Sequence, residues 1–122
     1  MTELNIIRIK NAVFYAYHGV MADEQSLGGK FEVDVDLRCD LSAAAESDKL
    51  HRTVDYEAVY AVVQTIVLAK KYLLLEALGG TITKGVLREF PNVAEVTVRI
   101  RKPHPPVKGV VDYVEVEITS HR

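Results

Sequence analysis

The sequence has a single cysteine, Cys39. No disulfide can therefore close within the chain, which excludes a disulfide framework and suits a reducing compartment. An excess of one charge is also missing: 15 Lys and Arg stand against 17 Asp and Glu, for a net charge of -2. Without a basic stripe there is no electrostatic case for nucleic acid as a partner. No apolar run approaches the roughly 20 residues that a membrane-spanning helix needs, so no membrane partner is expected. Residues Met1 to Lys10 include Glu3, Arg8 and Lys10 and lack the apolar core of a secretory signal, and a cytoplasmic location follows as the expectation. Low-complexity tracts are absent as well. With 48% apolar and 26% charged residues over 122 positions, the chain is expected to fold throughout as one domain, 1-122.

Proline is sparse, and its placement is informative. Of the 4 prolines, three fall in the run Pro103-His104-Pro105-Pro106. This run cannot extend a strand ladder, and it closes a segment, Val93 to Lys102, in which Val96, Val98 and Ile100 share one face. Lys102 continues that apolar phase, so a cation stands where a core residue is due. Two readings are open for it: an amine partly withdrawn from water at a rigid strand mouth, suited to proton transfer, or a lysine whose stem snorkels to solvent as the strand ends.

The remaining segments complete an architecture. Leu4 to His18 reads as a long first strand with a bulge or bend near Asn11. Gly19 to Lys30 reads as a loop with room for one helical turn. From Phe31 to Leu41 the chain alternates, with Phe31, Val33, Val35, Leu37, Cys39 and Leu41 on one face and Glu32, Asp34, Asp36, Arg38 and Asp40 on the other. This makes Cys39 a small core residue. An alanine-rich turn, Ser42 to Ala45, leads on to a helix N-capped by Asp55, with an apolar stripe at Val59, Val62, Val63, Ile66 and Val67. A second helix is expected from about Tyr72 to Arg88, with Leu74, Leu78, Ile82 and Val86 inward and weakened by Gly79 and Gly80. A last strand runs from about Val110 to Ser120. The order ββααββ predicts an α+β fold, a four-stranded antiparallel sheet with two helices on one face. The polar face of the second strand suits a wet tunnel wall, and the open sheet edges invite neighbouring subunits.

Four motifs, YHGVMADEQ (Tyr17 to Gln25), TVDY (Thr53 to Tyr56), LLLEAL (Leu73 to Leu78) and RKPHPP (Arg101 to Pro106), occur in an order and spacing that resembles the dihydroneopterin aldolase family of folate biosynthesis. The likeness runs from about Ile9 to Ile118. It implies the tunnelling fold, assembled into a multi-subunit barrel of four-membered rings stacked as an octamer, with active sites between subunits. It further implies retro-aldol cleavage of 7,8-dihydroneopterin, a small-molecule pterin, to 6-hydroxymethyl-7,8-dihydropterin and glycolaldehyde, with no metal and no cofactor.

The same resemblance distributes the roles. Glu76 would anchor the pterin, because a carboxylate can accept two parallel N–H bonds from an aminopyrimidinone edge; on helical spacing alone it is equally a solvated glutamate. Leu75 and Val54 would offer backbone groups to the ring. Tyr56, otherwise an aromatic packing under the start of its helix, would reach an adjacent subunit's site and help to protonate the intermediate. Glu24, in a loop where glutamates are ordinarily solvated, would hold the substrate's hydroxyls, and Lys102 would transfer the proton. His18 reads as a satisfied structural histidine.

Three other readings bear on these residues. A zinc-dependent pterin synthase would want three protein ligands, and His18, His51, His104 and His121 show no paired spacing. Epimerisation at C2' of dihydroneopterin or its triphosphate would use the same groups, with Arg101, Lys102, His104 and Lys108 as a basic pocket for phosphate. A non-catalytic pterin-binding oligomer would be expected to lose the lysine or the tyrosine.

Overall fold

The computed structural model describes residues 4–122; the first three residues, part of the segment read for a leader, lie outside the described residues. Strands β1 (Asn5–Ala16), β2 (Gly29–Cys39), β3 (Glu95–Pro103) and β4 (Tyr113–His121) form one antiparallel sheet in chain order. Helix α1 (Ala22–Leu27) lies between β1 and β2. Between β2 and β3 come α2 (Ser42–Ser47), a 3-10 turn (Leu50–Arg52), α3 (Tyr56–Ala69) and α4 (Leu75–Glu89). The expected ββααββ order of the long elements is present, and two short helices are added. The alanine-rich turn is α2, and β2 stops at Cys39, leaving Asp40 and Leu41 in the turn.

One face of the sheet is apolar because strand alternation puts Val33, Val35 and Leu37 of β2 and Val96, Val98 and Ile100 of β3 on the same side. Onto it pack Val59, Val63 and Val67 of α3 and Leu78, Ile82 and Val86 of α4, all buried. Each such side chain contributes roughly 1.5–3 kcal/mol on burial. Cys39 is buried in this core, and desolvation raises its thiol pKa. Helix α3 starts where the Asp55 carboxylate accepts the N–H groups of Glu57 (3.0 Å) and Ala58 (3.4 Å).

The opposite face was expected to be a wet row of carboxylates, but Asp34 and Asp36 are buried beneath arginines. Arg101 forks onto Asp34 at 2.7 and 2.9 Å and also donates to Glu115, Glu32 and the Asn11 amide oxygen. Arg99 bridges Asp36 (2.9 Å) and Glu117 (2.7 Å). The sequence bulge is real: β1 shifts register between Ile9 and Ala12, with Asn11 at φ 58°. That turn aims the Asn11 N–H at Asp34 Oδ1, 2.7 Å away. The Arg101 fork, with this N–H and Lys10, holds the Asp34 carboxyl well below the usual carboxylate range.

Two details of α4 differ from expectation. It begins at Leu75 and not near Tyr72, because the Tyr72 N–H donates to His18 Nδ1 (3.0 Å) and its carbonyl accepts from Gly19 (2.9 Å), which pins Tyr72 outside the helix. Leu74 is thus the residue before the helix, 51% exposed, and no part of the inward stripe. Gly79, which looks like a weak point on helix propensity, is where α4 approaches the sheet. A Cβ there would lie 2.9 Å from Ile118 Cγ1 and 3.4 Å from Ile118 Cβ, whereas one at Gly80 would meet nothing within 4 Å. Gly79→Ala should therefore destabilise the fold by about 1–3 kcal/mol through overpacking. Gly80→Ala should stabilise it by up to about 1 kcal/mol, and urea denaturation of both variants measures the contrast.

Candidate active site

Beyond Ile100 the apolar face of β3 passes the edge of the helical layer, and Lys102 falls on that face at the rim of a cleft of about 250 Å³. The snorkelling reading fails here. Lys102 Nζ lies 2.5 Å from Glu24 Oε2, with the two side chains only 19% and 16% exposed. Glu24 belongs to α1, and its other oxygen accepts the Met21 N–H at 3.2 Å. Asp23, Lys30, Phe31, Pro103 and His104 complete most of the wall. The strand runs as far as Pro103, paired with Tyr113, and His104 turns out of it at φ 50° while its N–H bonds to Asp112.

His18 forms the floor of the cleft at 2% exposure. Because Nδ1 accepts the Tyr72 N–H, Nε2 must carry the hydrogen, which it donates to the Val67 carbonyl at 2.9 Å. Desolvation lowers the imidazole pKa; the Val67 bond opposes this and the Lys102 charge adds to it. With both nitrogens bonded to backbone, His18 is a neutral structural residue with no lone pair free for a metal.

Glu76 stands in the first turn of α4, where backbone N–H groups lack helical partners and Leu74 supplies no side-chain cap. Its charge is favoured there by the helix dipole. Tyr72, four residues earlier, is tied to His18 and Gly19, so Glu76 and Leu75 lie at the same end of the molecule as Lys102 and Glu24. Val54 and Tyr56 do not. Val54 is buried beside a second cleft lined by Cys39, Thr53, His51 and Asn92, and Tyr56, at the start of α3, is 65% exposed. The run from Phe31 at the first cleft to Cys39 at the second corresponds to about 26 Å of strand. Along α3, Tyr56 lies about 16 Å from Val67, which holds His18.

The structure thus brings together Lys102 and Glu24, places Glu76 and Leu75 at their end, and leaves Val54 and Tyr56 at the far end. The proposed basic pocket does not form as expected: Arg101 is locked onto Asp34 on the opposite sheet face, and of that set Lys102 and His104 alone line the cleft. The sequence alone gives no role to Asp23 of α1 or Lys30 of β2, which both fall in the segment read as a loop, Gly19 to Lys30. It also gives none to Gly19, whose one signal is its place between His18 and the Glu24 turn.

Comparison with known proteins adds a family to this geometry. Residues 7–119 match the family model FolB, dihydroneopterin aldolase. The chain is 39% identical over 116 residues to the dihydroneopterin aldolase of Streptococcus pyogenes serotype M18, covering 95% of this chain and 98% of the relative. Its fold resembles that of the Escherichia coli dihydroneopterin aldolase in complex with neopterin, with a TM-score of 0.87 at 23% identity over 95% and 98% of the two chains. The Burkholderia thailendensis dihydroneopterin aldolase bound to guanine is similar at a TM-score of 0.80, 25% identity, and coverage of 98% and 92%.

The lowered pKa of His18 sets an acid limit on stability. Below the ordinary value of 6.5 the unfolded chain binds a proton at this site that the folded chain resists, so stability falls as pH drops from 6.5 towards the folded value. A second loss begins below 3.8, where the unfolded chain protonates Asp34 before the folded chain does. Melting temperature measured against pH should show both declines. His18→Gln should melt lower at pH 8, and its curve should lack the first decline.

Proposed function

The chain belongs to the dihydroneopterin aldolase family, and from that premise we propose that the two ends of neighbouring copies meet to form each active site. Its activity is that of an aldehyde-lyase of folate biosynthesis, acting on 7,8-dihydroneopterin. The observation that carries the two-subunit reading is the separation within one chain: the Lys102–Glu24 pair at one end, Val54 and Tyr56 at the other.

In this reading the Glu76 carboxylate accepts the paired N–H groups of the pterin's aminopyrimidinone edge, a fork geometry that fixes the ring in its plane. Backbone groups of Leu75, and of Val54 from the neighbour, hold the ring's remaining polar edge. Glu24 accepts hydrogen bonds from the trihydroxypropyl tail. At 2.5 Å from Lys102 Nζ it also holds that amine in the cleft, and the amine takes the proton of the substrate's 2'-hydroxyl, directly or through a water. As that proton leaves, the C1'–C2' bond breaks, glycolaldehyde departs, and the electron pair enters the ring imine. The sink belongs to the substrate, so the steps call on neither a Schiff base to Lys102 nor a metal. The neighbour's Tyr56 phenol then delivers a proton to C1', giving 6-hydroxymethyl-7,8-dihydropterin. If glycolaldehyde turns over before the bond re-forms, the same groups epimerise C2'.

The open edges at β1 and β4 support a barrel of sheets from several copies, a ring stacked to an octamer, with the whole chain as one catalytic domain. Among the described residues no helix is long and apolar enough to cross a membrane; a cytoplasmic location belongs to the same proposal.

Purified protein incubated with 7,8-dihydroneopterin and a chelator should release glycolaldehyde, and no product, or restoration by added metal, would sink the mechanism. Lys102→Ala should bind pterin yet lose roughly 100-fold or more in kcat. Co-expressed Lys102→Ala and Tyr56→Ala chains test the shared site. Random assembly of two inactive chains leaves about a quarter of the sites with both native groups, so activity should return, whereas residues that act within one chain would give none.

A further inference from the structure

We propose that Gly19 is a positioning residue of the active site: the absence of a side chain there lets the Glu24 carboxylate lie against the backbone and reach Lys102. The inference rests on the reading of Lys102 and Glu24 as the proton-transfer pair. A Cβ built on Gly19 would fall 2.4 Å from Glu24 Oε1, 2.5 Å from its Cδ and 2.9 Å from its Cβ. These distances are overlaps with the carboxylate itself. The carboxylate has little freedom to withdraw, since Oε1 accepts the Met21 N–H at 3.2 Å and Oε2 meets Lys102 Nζ at 2.5 Å.

Residue 19 is held just as firmly. Its N–H donates to the Tyr72 carbonyl at 2.9 Å, and its own carbonyl accepts the Gln25 Nε2 hydrogen at 2.9 Å. Gln25 directly follows Glu24, so two consecutive residues of α1 engage residue 19, one through a hydrogen bond and one by filling its empty side-chain volume. Tyr72 in turn precedes α4, the helix that carries Glu76. Gly19 therefore joins the seat of the proton-transfer pair to the segment that presents the ring anchor. Any side chain at this position has to displace Glu24 from Lys102, break the Gln25 bond, or move Tyr72.

The competing explanation is that glycine is needed only for its backbone angle, since φ here is +136°, a region that other residues rarely adopt. A double-mutant cycle separates the two. With 7,8-dihydroneopterin, Gly19→Ala should lower kcat by at least about tenfold while KM moves by less than about threefold. In a Glu24→Gly background the same alanine substitution should change kcat by less than about twofold, because no carboxylate remains to be displaced. An equal loss in both backgrounds would overturn the proposal in favour of the backbone angle. A readout independent of turnover is the reductive methylation of Lys102, followed by peptide mass spectrometry. Gly19→Ala should raise its rate to that of Glu24→Gly, and an unchanged rate would also overturn the proposal. If Gly19→Ala does not fold, recovery of soluble protein in the Gly19→Ala, Glu24→Gly double variant supports the steric account, and its failure refutes it. Native protein without aldolase turnover would refute the reaction, and the methylation result would still judge Gly19.

Discussion

A neutral imidazole at position 18 holds the site end of the molecule together. Its two ring nitrogens join three segments far apart in sequence: the end of β1, the last turn of α3 through the Val67 carbonyl, and Tyr72 ahead of α4. Each of these backbone groups would otherwise be a buried polar atom near a helix end, at a cost of roughly 1–3 kcal/mol. The arrangement works in one protonation state, because a proton on Nδ1 would turn the acceptor of the Tyr72 N–H into a second donor. Burial and the nearby Lys102 charge both favour the neutral form. The Lys102 cation at the rim of the cleft thus helps to keep the imidazole on its floor uncharged.

Lys102 itself depends on the other face of the sheet. Arg101 and Lys102 are adjacent, so strand alternation sends one guanidinium to the charged face and one amine to the cleft. Arg101 spends its donors on Asp34, Glu32, Glu115 and Asn11. A buried carboxylate such as Asp34 is stable only with such partners, and the bulge at Asn11 supplies a backbone N–H that a regular strand would have given to the ladder. The end of β3 is thereby bolted from behind. Pro103 follows directly and adds stiffness to the backbone from which Lys102 projects.

What the sequence made legible follows from the range of the interactions involved. Strand parity in β2 and β3, the Asp55 cap, the irregularity at Asn11 and the inward phase of Lys102 are local patterns, and all are present. The start of α4 was not legible, since it is set by a bond between Tyr72 and His18, 54 residues apart. Gly79 reads as a weak helix residue until Ile118 of β4 is seen against it. Asp34 and Asp36 look solvated because their arginine partners lie on another strand. Periodicity gave no hint of the roles of Glu24, Glu76 and Tyr56. For those the resemblance supplied the roles, and for Glu24 the structure supplied a location beside Lys102.

The distance between the two ends of the chain decides what kind of catalyst this is. A lid or hinge closes gaps of a few ångströms, whereas Val54 and Tyr56 are separated from the Lys102 cleft by most of the length of a rigid sheet strand and of α3. No rotation of the Tyr56 side chain spans that length. A second copy removes the problem without any internal motion, because the far end of one sheet can lie beside the near end of the next. The edge strands are consistent with this: Val13 and Tyr15 on β1 and Tyr113 and Val114 on β4 are large apolar residues left exposed in the single chain, a surface that isolated soluble domains tend to avoid. Exposure of Tyr56 fits the proposal that its partner surface belongs to another subunit. On the proposed two-subunit reading, folding of one chain sets Lys102 beside Glu24, and assembly would bring a neighbour's Tyr56 to that end.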